Sequence, residues 1–255
     1  MDEYCRPVDK GEYEKHIRDI LDVFRRVRSG ELDNDISMLN YYKGIPIGYP
    51  ATILDIDRDF VEFETHAYQA IAIRNDNSTF LKSRHLRHDL LAEVFYIKVP
   101  AREVSLKNFL YTRVLAENRN YVRVALQKPR EIDVDYAHQQ MTGRLVDVCM
   151  KSAAVDLAAD FHMRPGTVSR LHMTLPMGIG EPELPIDVLA TVSKAIAGPD
   201  SVRCIFDLQG DAGNDSRIAR FIGHRQTEIV AEIREAIWAE EAKNGNRGDL
   251  PPETP

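Results

Sequence analysis

Arg119 and Arg123 lie four residues apart in Arg119-Asn120-Tyr121-Val122-Arg123, between two stretches that both read as β-rich. A guanidinium presents five N–H donors in one plane and stays charged at any working pH. Two of them at the mouth of a strand make a fork suited to phosphate or to a purine edge. The local field agrees. From Leu106 to Arg130, the cations Lys107, Arg113, Arg119, Arg123, Lys128 and Arg130 face Glu117 alone, a local +5 in a chain of net charge −7. A basic collar on an acidic protein points to a compact anionic ligand rather than a nucleic-acid surface. The plain alternative is a pair of solvated arginines bound to acids such as Glu117 or Asp147.

About two dozen residues later comes Gly143-Arg144-Leu145-Val146-Asp147-Val148-Cys149-Met150-Lys151-Ser152. Read with the arginine pair, this segment resembles the PilZ signature, RxxxR followed by [D/N]xSxxG. The chain from about Leu32 to Ala236 resembles the two-domain flagellar-brake type of PilZ protein, which has an N-terminal split-barrel domain, a short linker carrying RxxxR, and the PilZ barrel. Asp147 matches the second motif, whereas Cys149 stands where Ser is expected and Ser152 where Gly is expected. The resemblance implies that Arg119 and Arg123 clamp cyclic di-GMP, with Asp147, Cys149 and Ser152 completing the ligand site. Arginine suits both halves of that ligand, through charge-assisted bonds to phosphate and paired bonds to guanine O6 and N7. A thiol is a weaker donor than a hydroxyl. A serine Cβ is costly if φ at 152 is positive. Each departure is expected to cost about 1 kcal/mol, roughly fivefold in affinity.

The elements that must position these residues follow from periodicity. Residues 1–10 read as a loose arm. Gly11 to Arg28 reads as an amphipathic helix, with Tyr13, Ile17, Ile20, Leu21, Phe24 and Val27 on one face, expected to dock on its own domain, the alternative being a dimerisation or partner helix. Two hairpins follow. Ala51–Ile56 pairs with Phe60–Thr65 across Asp57-Arg58-Asp59, and Gln69–Ile73 pairs with Thr79–Lys82 across an Asn/Asp-rich turn. Leu91–Val99 and Val104–Phe109 complete the first set. Leu110–Asn118 is a short polar linker. Tyr121–Leu126, Glu131–Tyr136, Met141–Cys149, Ala153–Ala159, Arg170–Leu175, Leu184–Ala197 and Val202–Phe206 are strand-like, with a turn at Arg164-Pro165-Gly166-Thr167. Asp215–Glu241 is a second long helix with an apolar stripe, capped by Asn214, Asp215 or Ser216. The expected fold is mainly β: two small β-barrels, a split-barrel N-terminal domain and a PilZ barrel, with an N-terminal and a C-terminal amphipathic α-helix. The expected division is arm and helix 1–31, split barrel 32–110, linker plus PilZ domain with its helix 111–243, and disordered tail 244–255.

Composition narrows the class. Hydrophobic residues make up 44% and charged residues 29%, enough for a core without staples. No apolar run approaches the roughly 20 residues that span a bilayer, so no membrane insertion is expected. The first residues lack the basic and apolar regions of a secretory signal, and three dispersed cysteines suit a reducing cytoplasm. The acidic balance speaks against general nucleic-acid binding. Among the eight histidines only His85 and His88 are closely spaced, and no metal site, cofactor or enzyme motif is expected. Arg130, Arg144 and Arg170 are further candidates for the same groove. Three functional readings stay open. The resemblance implies a non-enzymatic cyclic di-GMP receptor whose domains reorient on binding to act on a protein partner in flagellar or other motility machinery. A degenerate PilZ scaffold that binds no nucleotide is the second. A thiol enzyme using Cys149 beside His162 or His172 is a distant third.

Overall fold

The computed structural model describes residues 4–8, 13–58, 60–137, 139–161, 163–178 and 180–243. Among the expected features, Asp59, His138, His162 and the tail from Asn244 lie outside the described residues. Contacts divide the chain into two units: Met1–Tyr42, Pro46–Asn120 and Val230–Pro255 form one, Lys43–Ile45 and Tyr121–Ile229 the other.

The first unit is a β-barrel. Helix α1 (Tyr13–Arg28) is followed by strands β2 (Ser37–Tyr42), β3 (Ile45–Ile56), β4 (Val61–Thr65), β5 (Ser78–Lys82), β6 (Asp89–Lys98) and β7 (Glu103–Val114). They run in the order β7-β4-β3-β2-β5-β6, and β6 pairs with β7 to close the ring. The apolar stripe of α1 enters its core. Phe24 is fully buried, with edge-on contacts to Phe63 and Phe109 at 5.7 and 5.5 Å.

Three sequence expectations change here. Gln69–Ile73 is not a strand but part of helix α2 (Ala67–Asp76). Ala70, Ile71, Ala72 and Ile73 are all buried, so no polar face marked the helical period. His66 caps its start by accepting from the Tyr68 N–H, and Asn77, at φ 55°, ends it in the left-handed region. Residues 5–7 are not a loose arm: strand β1 (Cys5–Pro7) pairs antiparallel with the end of β7, Cys5 opposite Val114. Strand β7 therefore runs through the stretch read as linker, and only the helical turn Ala116–Asn118 separates it from Arg119.

The second unit is another closed barrel, β10-β13-β12-β11-β8-β9. Its strands are β8 (Val124–Tyr136), β9 (Gln139–Cys149), β10 (Ser152–Ala158), β11 (Val168–Leu175), β12 (Leu184–Ala197) and β13 (Ser201–Gln209). Of the two segments expected as 121–126 and 131–136, residues 124–126 and all of 131–136 lie in the one strand β8, and residues 121–123 precede it. Its register shifts between Ala125 and Arg130, and the bulge accommodates the exposed Gln127-Lys128-Pro129 stretch that read as a break. Helix α3 (Ala212–Lys243) begins earlier than expected. Its cap is Asp211, whose Oδ1 accepts from the Asn214 N–H at 2.8 Å, rather than Asn214, Asp215 or Ser216. No described helix is long and apolar enough to cross a membrane.

Candidate ligand site

Arg123 immediately precedes β8, and Asp147 lies on the neighbouring strand β9, where it stands opposite Ala125. The register thus brings the two side chains together: Arg123 Nε is 3.7 Å from Asp147 Oδ1. Each side chain retains 19% of its exposure, so the ion pair is neither sealed in the core nor freely solvated. It sets guanidinium donors beside carboxylate acceptors, the two functions a guanine edge requires.

The backbone under Arg123 is held from two sides. Gly44, in the turn between β2 and β3, has φ +90°, and a Cβ placed on it would lie 2.3 Å from the Arg123 carbonyl oxygen. The Ala125 N–H donates to the Lys43 carbonyl at 3.0 Å. From α3, Arg225 is buried to 2% exposure, and its Nε–H donates to the Ala125 carbonyl at 3.1 Å while Nη1 pairs with Glu228 at 2.9 Å. Glu228 and the Ala125 carbonyl thus offset part of the cost of burying this guanidinium.

Cys149 and Ser152 face each other across the tight turn between β9 and β10. Cys149 is buried, and its Sγ lies 3.0 Å from Ser152 Oγ. Ser152 is not among the described non-glycine residues with positive φ, which are Lys43, Asn77, Arg102, Asn108 and Ala137. The strain expected from a side chain at 152 is therefore absent. The turn is fixed by Lys151, whose Nζ meets Asp215 of α3 at 2.7 Å and whose carbonyl accepts from the Leu208 N–H at 2.9 Å.

Arg119 belongs to the first unit and Arg123 to the second; the chain boundary at Asn120–Tyr121 falls between them. The Arg119 N–H donates to the Ala116 carbonyl at 3.2 Å, closing the helical turn after β7. Its guanidinium lies over the Tyr4 ring, 5.1 Å from the centroid, and Tyr4 stacks on Tyr41 at 4.9 Å. Burial, with Glu117 nearby, pushes the Tyr41 phenol up to about 12, opposed by Arg119.

Two of the other three candidate arginines, Arg130 and Arg170, form ion pairs on the second barrel. Arg130 pairs with Glu183 at 3.2 Å and Arg170 with Asp187 at 2.8 Å, while Arg144 stands between Glu131 and Asp156 in register. His172, the partner suggested for a Cys149 nucleophile, instead contacts Asp135 at 2.9 Å and Asp187 at 3.3 Å. Among the described residues, no group of three or more His, Cys, Asp or Glu could hold a metal ion. Three residues that contact Arg119 or the backbone beside Arg123 were not expected as site residues: Gly44 was visible only as part of a Lys-Gly stretch and Arg225 as a charge interrupting the apolar stripe between Ile222 and Ile229, whereas Tyr4 carried no signal.

No family model matches the chain, and no curated protein matches it. Solved structures do resemble it. That of the Bacillus subtilis inhibitor of motility MotI/DgrA is 13% identical, covering 76% of this chain and 97% of its own, with a TM-score of 0.40. That of Escherichia coli YcgR in complex with c-di-GMP is 12% identical, covering 92% and 98%, also at 0.40. The PilZ domain of E. coli YcgR with c-di-GMP is 17% identical over 45% of this chain and 95% of its own, at 0.36. The order found here, barrel, RxxxR segment, barrel, is the one implied by the resemblance to the flagellar-brake type.

Proposed function

We propose that this protein is a cyclic di-GMP receptor of the PilZ flagellar-brake type. The observation that carries the reading is the Arg123–Asp147 pair, half-buried beside the first strand of the second barrel, in a chain whose RxxxR segment supplies Arg119 four residues earlier. Arg119 and Arg123 grip the phosphates and the guanine O6/N7 edge. Asp147 accepts from guanine N1–H and N2–H. Ser152 and Cys149 line the turn beside it, contributing polar atoms already bonded to each other. A ligand held by residues on both sides of Asn120–Tyr121 shifts the arrangement of the domains if it binds one arrangement more tightly than another. The altered surface then acts on a protein partner in motility or surface behaviour. Calorimetric titration with cyclic di-GMP tests the reading. Saturable binding that Arg123→Ala weakens at least tenfold supports it; unchanged affinity in that variant removes the clamp. No binding at high micromolar ligand leaves the nucleotide-free scaffold as the better account. Small-angle scattering with and without ligand tests the domain shift, and superimposable curves would exclude it.

A further inference from the structure

Strand β1, three residues long, brings the N-terminal segment to the root of the Arg119 turn. The Tyr4 carbonyl accepts from the Leu115 N–H at 2.7 Å and from the Ala116 N–H at 3.4 Å, the two residues that open that turn. Beyond it, Thr112 Oγ1 donates to the Arg6 carbonyl at 2.9 Å. The Tyr4 ring packs against the small cluster of Cys5, Phe80, Val114 and Ala116, stacks at 18° to the plane of Tyr41, and carries the Arg119 guanidinium on its face. Tyr4 thus bonds the turn from which Arg119 projects and also lies under its guanidinium, from more than a hundred positions away in sequence. An arginine already resting on an aromatic ring loses less rotamer freedom when it binds than one that samples its full range.

Resting on the cyclic di-GMP reading above, we propose that Tyr4 is a positioning residue for Arg119, and that the N-terminal strand is part of the ligand-binding apparatus rather than a terminal ornament of the barrel. The aromatic face is the functional feature, because cation–π contact requires it and apolar bulk alone does not supply it.

The test is titration of cyclic di-GMP into the full chain and four variants: Tyr4→Leu, Tyr4→Phe, Arg119→Ala, and Tyr4→Leu combined with Arg119→Ala. Leucine keeps apolar volume in the cluster and removes the π face; phenylalanine restores it. Tyr4→Leu is expected to weaken binding about two- to fivefold. Tyr4→Phe is expected to bind as the parent does, and Tyr4→Leu to have no further effect once Arg119 is alanine. Parent-like affinity in Tyr4→Leu would overturn the inference while leaving the receptor reading intact. So would an equal loss in the Arg119→Ala background. Absence of binding by the parent protein would overturn both. Should Tyr4→Leu unfold, failure of Tyr4→Phe to bind as the parent does would overturn the inference by itself.

Discussion

Replacing Gly44 by alanine should disturb the second unit more than any other single-methyl addition at a left-handed glycine there. Two costs combine. At φ +90° a non-glycine residue occupies the left-handed region, a penalty of about 1–2 kcal/mol. The new Cβ would also lie 2.3 Å from the Arg123 carbonyl oxygen, and backbone cannot swing aside as a flexible side chain does. Overpacking of this kind costs about 1–3 kcal/mol. Gly166 is the control: its φ is +89°, nearly the same, but nothing lies within 4 Å of an added Cβ. Gly166→Ala should therefore show the conformational cost alone, and the difference between the two variants reads the collision with Arg123. At about 2–4 °C per kcal/mol for a protein of this size, Gly44→Ala should melt roughly 4–20 °C below the parent and Gly166→Ala roughly 2–8 °C below it. Thermal unfolding followed by circular dichroism, with urea titration to compare slopes, measures both. Because the collision displaces Arg123 itself, Gly44→Ala should also weaken cyclic di-GMP binding while Gly166→Ala leaves it unchanged. Equal melting points for the two variants would refute the close approach, and with it the view that this turn sets the position of Arg123.

Further outcomes follow from the same geometry. Ser152→Gly, which restores the residue of the family signature, should lower stability by about 0.5–1 kcal/mol, since φ at 152 is not positive and strand glycine costs chain entropy; a stabilised variant in urea titration would show that the side chain is strained after all. Cys149→Ser should bind cyclic di-GMP at least as tightly as the parent, because a hydroxyl replaces a weak donor already 3.0 Å from Ser152 Oγ; a large loss by calorimetry would show that the sulfur itself is needed. Arg225→Met should cost about 1–3 kcal/mol by leaving the Ala125 carbonyl and Glu228 without their charged donor, and an unchanged urea midpoint would exclude the bracing role. His66 gives a pH signature. Its ring stacks on Tyr49 at 4.0 Å, and its Nδ1 accepts from the Tyr68 N–H at 3.2 Å, so the folded state requires neutral imidazole there. Burial, with Arg102 nearby, holds its pKa below the ordinary 6.5. The unfolded chain therefore binds the proton first, and this stabilisation is complete above pH 6.5 and lost as pH falls below it. His66→Asn, which keeps a capping acceptor, should flatten that part of the stability profile; an unaltered profile would assign it to another group.

The strands were legible where one face is buried and the other wet. In Leu184–Ala197 the alternation of Val188, Ala190 and Val192 competed with a helical spacing of Leu189, Val192 and Ile196; the segment is a strand, with the alternating three buried and Leu189 exposed. Helix α2 was not legible, because a four-residue run buried on every side carries no period, and its alternation of Ala and Ile imitates a strand. Strand β1 was too short to register, and its role is visible only through partners more than a hundred residues away. The candidate site divides in the same way. Arginines and an acid at motif spacing can be read from a sequence. What orients them depends on a tyrosine, a turn glycine and a helix arginine whose relevance comes from tertiary contact: Tyr4 beneath Arg119, Gly44 against the Arg123 carbonyl, and Arg225 on Ala125. The placement of Ser152 shows the converse, since the concern raised by its identity vanishes once its backbone conformation is known.

The most direct measurement is calorimetric titration of cyclic di-GMP into the full chain beside an Arg119→Ala/Arg123→Ala variant whose melting point matches the parent's. The account predicts saturable binding by the parent and at least a hundredfold loss in the variant. Equal binding by both proteins, or none by the parent at high micromolar nucleotide, would contradict it.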